Sequence, residues 1–344
     1  MPVGYRGRQI EIHTINTRTS DPEVYWRDFS ALVRLTEQSG FDGMLCFSAN
    51  ETLIDPWLAA HYLIMNSRRL TPIVAVNPIY MHPYAAAKMV SSFAYMHGRR
   101  AALNLITGTA QRDREVLHDA IEHDDRYARL TEYAEIVQAL LTQPRLTDFR
   151  GRHYDLTQAI ILPQPPEPLR PTFLVAGHSP AAEATAQAVG AVRLRMLAPE
   201  LEDGLPSAAS GLGAHFGVVA RETEEEAWAA ARRRYPDAPE LEGMLEFVMD
   251  ESDSAWKRIL YERVIARGAA RPGYWLEPFG QLRADCPYFV GSYEAAAASL
   301  AAHVERGVDW FILDLPPEED EFVHAAKAFA MAFERLGIDR AEAA

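Results

Sequence analysis

Cysteine is nearly missing from this 344-residue chain, with only Cys46 and Cys286. Two thiols cannot build a disulfide framework, so a reducing compartment is expected. Positive charge is short as well: 34 Lys and Arg stand against 48 Asp and Glu, a formal net charge of −14. Nucleic acid and anionic membrane surfaces are gripped largely through charge neutralisation, so neither is an expected partner. No stretch approaches the roughly 18 uncharged apolar residues of a membrane span. The opening MPVGYRGRQIEIHTI lacks a basic head followed by a long apolar run, and a cytoplasmic protein without an export signal is read.

The common short fingerprints are absent too. No Walker-type phosphate loop and no H-E-x-x-H zinc helix occur. GLGAHFG (211–217) begins like a dinucleotide loop, but Phe216 takes the third glycine position and a strand follows. His118 and His123 have no carboxylate at ligand spacing, so no metal is expected.

What the chain does have is alternation. Short apolar runs at 10–15, 43–48, 73–77, 101–106, 172–177, 192–197, 215–220 and 310–315 are each followed by a helix-like stretch. Several, such as IVAV and FILDL, are continuously apolar, as parallel strands covered on both faces must be. Prolines follow Asp55, His82 and Ser179 where a helix tolerates them, at its first position. Eight such units predict an α/β fold, a single (β/α)₈ TIM barrel, in preference to an open sheet. Two segments interrupt the repeat. Residues 142–171 predict a hairpin excursion; residues 235–290 predict an insertion after the seventh strand, read as a cover over the catalytic face.

Three constellations would meet at one rim of such a barrel. In ALNLITG, Asn104 interrupts an apolar strand and must find a partner, either in the protein or in a ligand. In EHDDRYARLTEY, His123 and Tyr127 are one turn apart at a helix start, where free N–H groups favour an anion. In LVAGHSPAAEA, a strand ends at Gly177, His178 and Ser179 make the turn, and Pro180 opens a helix. That turn could hold phosphate oxygens or simply cap its helix through Ser179. His215, inside the seventh strand, points either into the barrel or into packed core, and is the candidate for proton transfer or substrate contact. Met81 and His82 are candidates to touch a ligand ring; Tyr274, Trp275 and Phe279 either line a pocket or pack a loop.

The segments FDGMLCFSANETLIDPWLAA, MHPYAAAKMVSSFAYMHGRRAALNLITG, HDDRYARLTEYAEIVQALL, DFRGRHYDL and FLVAGHSPAAEATAQ, in this order, resemble the bacterial-luciferase-like flavin monooxygenases, the alkanesulfonate monooxygenase branch most of all. The resemblance implies reduced FMN at the C-terminal ends of the strands, delivered by a separate NAD(P)H:flavin reductase, and O2 as co-substrate. It implies Ser48 and Asn104 near the flavin ring, and His123, Tyr127, Gly177, His178 and Ser179 around the phosphate. Dimers or tetramers are common in the family. The sulfonate branch's own residues are largely replaced: its cysteine after the second strand by Leu53, its strand-seven Arg-x-His by His215 and Gly217, its tryptophan near 197–198, and its lid arginine, for which only Arg283 could compensate. A sulfonate needs charge-assisted donors, so a larger, less anionic substrate is expected. A deazaflavin-dependent dehydrogenase or a silent flavin-binding barrel are the alternatives.

Overall fold

The computed structural model describes residues 2–47, 52–108, 111–197, 211–238, 241, 244–250, 254–266 and 272–338. A short hairpin leads, β1 (Val3–Tyr5) against β2 (Arg8–Ile15). Then come α1 (Pro22–Gln38), β3 (Gly43–Cys46), α2 (Pro56–Met65), β4 (Thr71–Val76), α3 (Pro83–His97) and β5 (Ala102–Leu105). A short α4 (Gln111–Val116) precedes the long α5 (His123–Thr142). The antiparallel pair β6 (Thr147–Arg150) and β7 (Asp155–Ala159) stands outside the main sheet. Next are β8 (Phe173–Ala176), α6 (Pro180–Val189), β9 (Val192–Met196), β10 (Leu212–Arg221) and α7 (Glu224–Arg234). The chain continues through α8 (Met244–Asp250), α9 (Ala255–Ala266), β11 (Tyr274–Trp275), α10 (Glu277–Gly280) and β12 (Tyr288–Ser292). It closes with α11 (Tyr293–Glu305), β13 (Val308–Asp314) and α12 (Glu319–Arg335).

Strands β2, β3, β4, β5, β8, β9, β10 and β13 pair in that order, all parallel, and β13 returns to β2. This is a closed eight-stranded barrel, as the alternation predicts. The local chemistry agrees with it: Asp21, Asp55 and Ser179 cap α1, α2 and α6 with side-chain oxygens, each followed by a proline at the first helical position. No helix among the described residues is long and apolar enough to cross a membrane.

Alternation along each strand sorts side chains between two cores. Ile15, Leu45, Ile73, Ala102, Leu174, Val192, Leu194, Trp310 and Ile312 fill the barrel. The intervening residues, such as Ile12, Val74, Leu103 and Phe311, pack outward against the helices. The same parity turns Asn104 and His215 inward near the strands' C-terminal ends.

The opposite end of the barrel is plugged by charge. Arg100 donates to both oxygens of Glu11 at 3.0 and 2.9 Å, His13 Nε2 lies 3.3 Å from Glu11, and the His13 ring stacks on Trp310 at 4.7 Å. Burial works to raise the Glu11 pKa, but His13 and then Arg100 outweigh it and hold the carboxyl below its ordinary 4.5. A depressed carboxyl stabilises the fold above its unfolded value and loses that contribution as pH falls through the folded value. Glu11→Gln is therefore expected to lower Tm at pH 7, and the gap to wild type to narrow below about pH 4.5. A gap that stays constant from pH 7 to 3.5 in thermal scans would contradict this.

In the segment after α7 the aromatic residues pack a loop, the second of the two readings. Tyr274 donates its hydroxyl to the Leu197 carbonyl at 3.2 Å, Trp275 packs on Trp228, Tyr235 and Tyr288, and Phe279 on Leu245 and Leu260. For Trp275 the reason lies on β10, where Gly217 leaves a gap. An added Cβ there would meet the Tyr288 ring at 2.1 Å, so the aromatic cluster fills the space that a strand-seven side chain would occupy. Strand β12, which pairs with the end of β10, is likewise missed by the repeat pattern. The helical part of the insertion does reach the barrel mouth, at the start of α9.

Candidate functional site

At the C-terminal ends of the strands lies a cavity of about 300 Å³, within the size range of small-molecule sites. Its floor is the last inward layer of the barrel: Ile15, Leu45, Ala75, Asn104, Ala176, Leu194 and His215. Ala75 and Ala176 leave the room. The start of α9, Ser254–Lys257, contributes to the wall, so the insertion reaches the site through its helical part.

His123, Tyr127, Gly177, His178 and Ser179 all line this one cavity, with Asn104 and His215. The first turn of α5 and the β8–α6 turn are in direct contact, since Tyr127 Oη donates to the Ala176 carbonyl at 3.2 Å. Behind them Thr185 Oγ1 donates to the Tyr127 carbonyl at 3.2 Å, locking α6 to α5. Gly177 makes the approach possible. Its φ is +147°, and an added Cβ would stand 2.6 Å from Tyr127 Oη and 2.8 Å from Ala182 Cβ. Ser179 Oγ accepts the Ala182 N–H at 3.2 Å, capping α6, and its own proton remains available to a ligand. His123 Nδ1 is 2.7 Å from Asp124, which orients the ring beside Tyr127 at 5.2 Å between centroids.

His178 behaves differently from a cationic anion-binder. Its Nε2 accepts the Met196 N–H at 3.3 Å. Burial first, then Arg195 and Arg263, push its pKa down to about 4, so the ring is neutral at working pH. Any ligand contact it makes comes from Nδ1–H.

Two polar atoms on the floor lack partners. Asn104 is 5% exposed, and its Oδ1, like Thr107 Oγ1, has no hydrogen bond among the described residues. An unmet buried acceptor costs about 1–3 kcal/mol, which a ligand bonding to these atoms would recover.

On the opposite side His215 Nδ1 donates to the Ile312 carbonyl at 2.9 Å, which fixes the tautomer and leaves Nε2 as an acceptor. Burial and then Arg18 hold its pKa below the ordinary 6.5. Arg18 itself is held by Asp285 and Asp314, each at 3.0 Å. Burial would raise Asp314, but the Arg18 guanidinium outweighs it and holds the carboxyl below its ordinary range. A guanidinium shared by two carboxylates is poorly placed to clamp a substrate anion.

Other expectations fall away from the site. Arg283 donates to the Pro236 carbonyl at 2.6 Å and lies over Tyr235, so it does not replace a lid arginine at the cavity. His82 caps α3 through Nδ1, and neither it nor Met81 lines the cavity. Ser48 lies outside the described residues. Conversely, Arg18, Arg195, Trp256 and Lys257 line the cavity without having been singled out from sequence. The V-R-L-R-M alternation of β9 carried a signal for Arg195; a loop arginine such as Arg18 carried none.

The profile of one family, described as luciferase-like monooxygenase, matches residues 11–310. Among individual proteins, the chain is 28% identical over 304 residues to a monooxygenase of Niallia circulans that acts on 4-(gamma-L-glutamylamino)butanoyl carried by the BtrI acyl-carrier protein. That match spans 86% of this chain and 88% of the relative. EDTA monooxygenase from Chelativorans sp. BNC1 superposes with a TM-score of 0.69 at 15% identity, over 97% of this chain and 99% of that one. The oxygenating constituent of 3,6-diketocamphane monooxygenase from Pseudomonas putida, solved with FMN, gives 0.64 at 16% identity over 92% and 96%. At these identities the structural matches establish the fold.

Proposed function

Because the chain belongs to the luciferase-like monooxygenase family, we propose that it is the oxygenating component of a two-component system, using O2 and reduced FMN supplied by a separate NAD(P)H:flavin reductase to oxidise a small organic substrate. The observation that carries this reading is one cavity that joins the unmet Oδ1 of Asn104 to the turn closed by Gly177. The residues fit the cofactor. Asn104 offers an acceptor to a ring N–H, while Ser179, His123 and Tyr127 surround the place for the phosphate, the Tyr127 proton first leaving the Ala176 carbonyl. The bound reduced flavin supplies the electrons for oxygen activation. The apolar floor and the start of α9 keep bulk water from the reacting centre, and His215 Nε2, a neutral acceptor, is the group able to take a proton there.

The substrate is not a simple alkanesulfonate in this reading, since Arg18 is already neutralised by Asp285 and Asp314. An acyl chain on a carrier protein, the substrate class named for the Niallia relative, is the first to test. As in much of the family, a homo-oligomer is expected.

The test is to titrate the protein with FMN and with the deazaflavin coenzyme, then follow oxygen uptake with a flavin reductase and candidate substrates. FMN binding with substrate-dependent oxygen uptake is expected. Preferential deazaflavin binding with oxygen-independent hydride transfer would replace this reading by the dehydrogenase alternative, and binding without turnover by a silent barrel.

A further inference from the structure

Two guanidinium groups share one carboxylate at the head of α6. Arg193 and Arg195, two apart on β9, project from its outer face toward that helix. Glu183, in the first turn of α6, gives one oxygen to Arg193 at 2.5 Å and lies 3.8 Å from Arg195 with the other. Among the described residues a surplus positive charge remains, in a chain of net charge −14.

Arg195 is the group left with the surplus. It lines the cavity, and its Nε is buried without a partner among the described residues. Its neighbours on β9 are tied to the β8–α6 turn: the Leu194 carbonyl accepts the Gly177 N–H at 3.3 Å, and the Met196 N–H donates to His178 at 3.3 Å. The guanidinium therefore stands beside the turn whose Ser179 hydroxyl faces the cavity. His178, the one side chain of that turn able to titrate, is kept neutral partly by Arg195 itself. His178 therefore brings no charge to an anion at this end, and Arg195 does.

We propose that Arg195 recognises the phosphate of the flavin and makes the site selective for FMN over riboflavin. The proposal rests on the FMN reading above. A guanidinium presents paired N–H donors that match two phosphate oxygens, and it stays charged at any working pH. The 3.8 Å separation from Glu183 is too long for a hydrogen bond, so an arriving phosphate displaces little and gives the buried Nε–H an acceptor.

The test uses quenching of flavin fluorescence to measure Kd for oxidised FMN and for riboflavin in wild type, Arg195→Gln and Arg195→Lys. In Arg195→Gln, FMN affinity is expected to fall by roughly 10- to 100-fold, the range for a lost charge-assisted hydrogen bond, with riboflavin within about twofold. Arg195→Lys keeps the charge and should recover part of the loss. Equal weakening of both flavins, or an unchanged FMN affinity, overturns the proposal. Inorganic phosphate alone separates it from the cofactor reading. It should raise the wild-type Tm but not that of Arg195→Gln; if this holds and neither flavin binds wild type, the FMN reading fails while the anion site stands. An equal rise in both proteins overturns the anion site.

Discussion

Gly177→Val is expected to weaken FMN binding by about 100-fold or more and to lower Tm measurably. The residue sits at φ +147°, where a β-branched side chain is strained by about 1–3 kcal/mol before any contact is counted. Its Cβ would also stand 2.6 Å from Tyr127 Oη and 2.8 Å from Ala182 Cβ, neither of which is the end of a flexible chain. Relief requires either α5 to move away from the turn or the peptide to rotate. Both displace Ser179 relative to Tyr127, and the two halves of the phosphate site then no longer face one ligand. Fluorescence titration with FMN and a thermal scan read the two effects together. Wild-type affinity and Tm in the valine variant would mean that the turn does not depend on this close approach. The strain alone predicts lost stability, whereas the site geometry predicts that affinity falls much further than stability does.

His215→Ala is the second large effect, expected in turnover and not in cofactor binding. Nδ1 is committed to the Ile312 carbonyl at 2.9 Å, so Nε2 carries the lone pair at the cavity. A positioned general base contributes about 10²- to 10⁴-fold, and kcat on an accepted substrate should fall accordingly while Kd for FMN stays within about twofold. The sign of the pH dependence follows from burial and Arg18, which hold the imidazole below its ordinary 6.5. The neutral, proton-accepting form therefore persists to below pH 6.5, and wild-type kcat should decline only on the acid side of that value. The variant should lack this limb. Full turnover in His215→Ala with FMN bound would remove His215 from any catalytic role.

The barrel's strands were legible because they are covered on both faces, so continuously apolar runs such as IVAV and FILDL, each followed by a helical stretch, mark them. The meeting of His123, Tyr127, Gly177 and Ser179 was legible for a related reason: each lies where a strand end or helix start must open onto the same rim. What sequence could not give were partners fixed by distance in the chain. For Tyr274, Trp275 and Phe279 pocket lining and packed loop stayed open, because nothing local reveals that Gly217, far earlier, leaves a gap for Tyr288, on which Trp275 packs. Arg283 read as a spare cation because its carbonyl partner at Pro236 is supplied by another segment. Two of the charges that line the cavity, Arg18 and Arg195, resemble any solvated arginine until Asp285, Asp314 and Glu183 are seen beside them.

Where a phosphate comes to rest decides whether this rim is a flavin site. A crystal structure with FMN should show its phosphate oxygens within about 3 Å of Ser179 Oγ and of the α5 turn at His123 or Tyr127, with the flavin ring over Asn104. A flavin whose phosphate lies elsewhere on the rim, with the β8–α6 turn untouched, would contradict it.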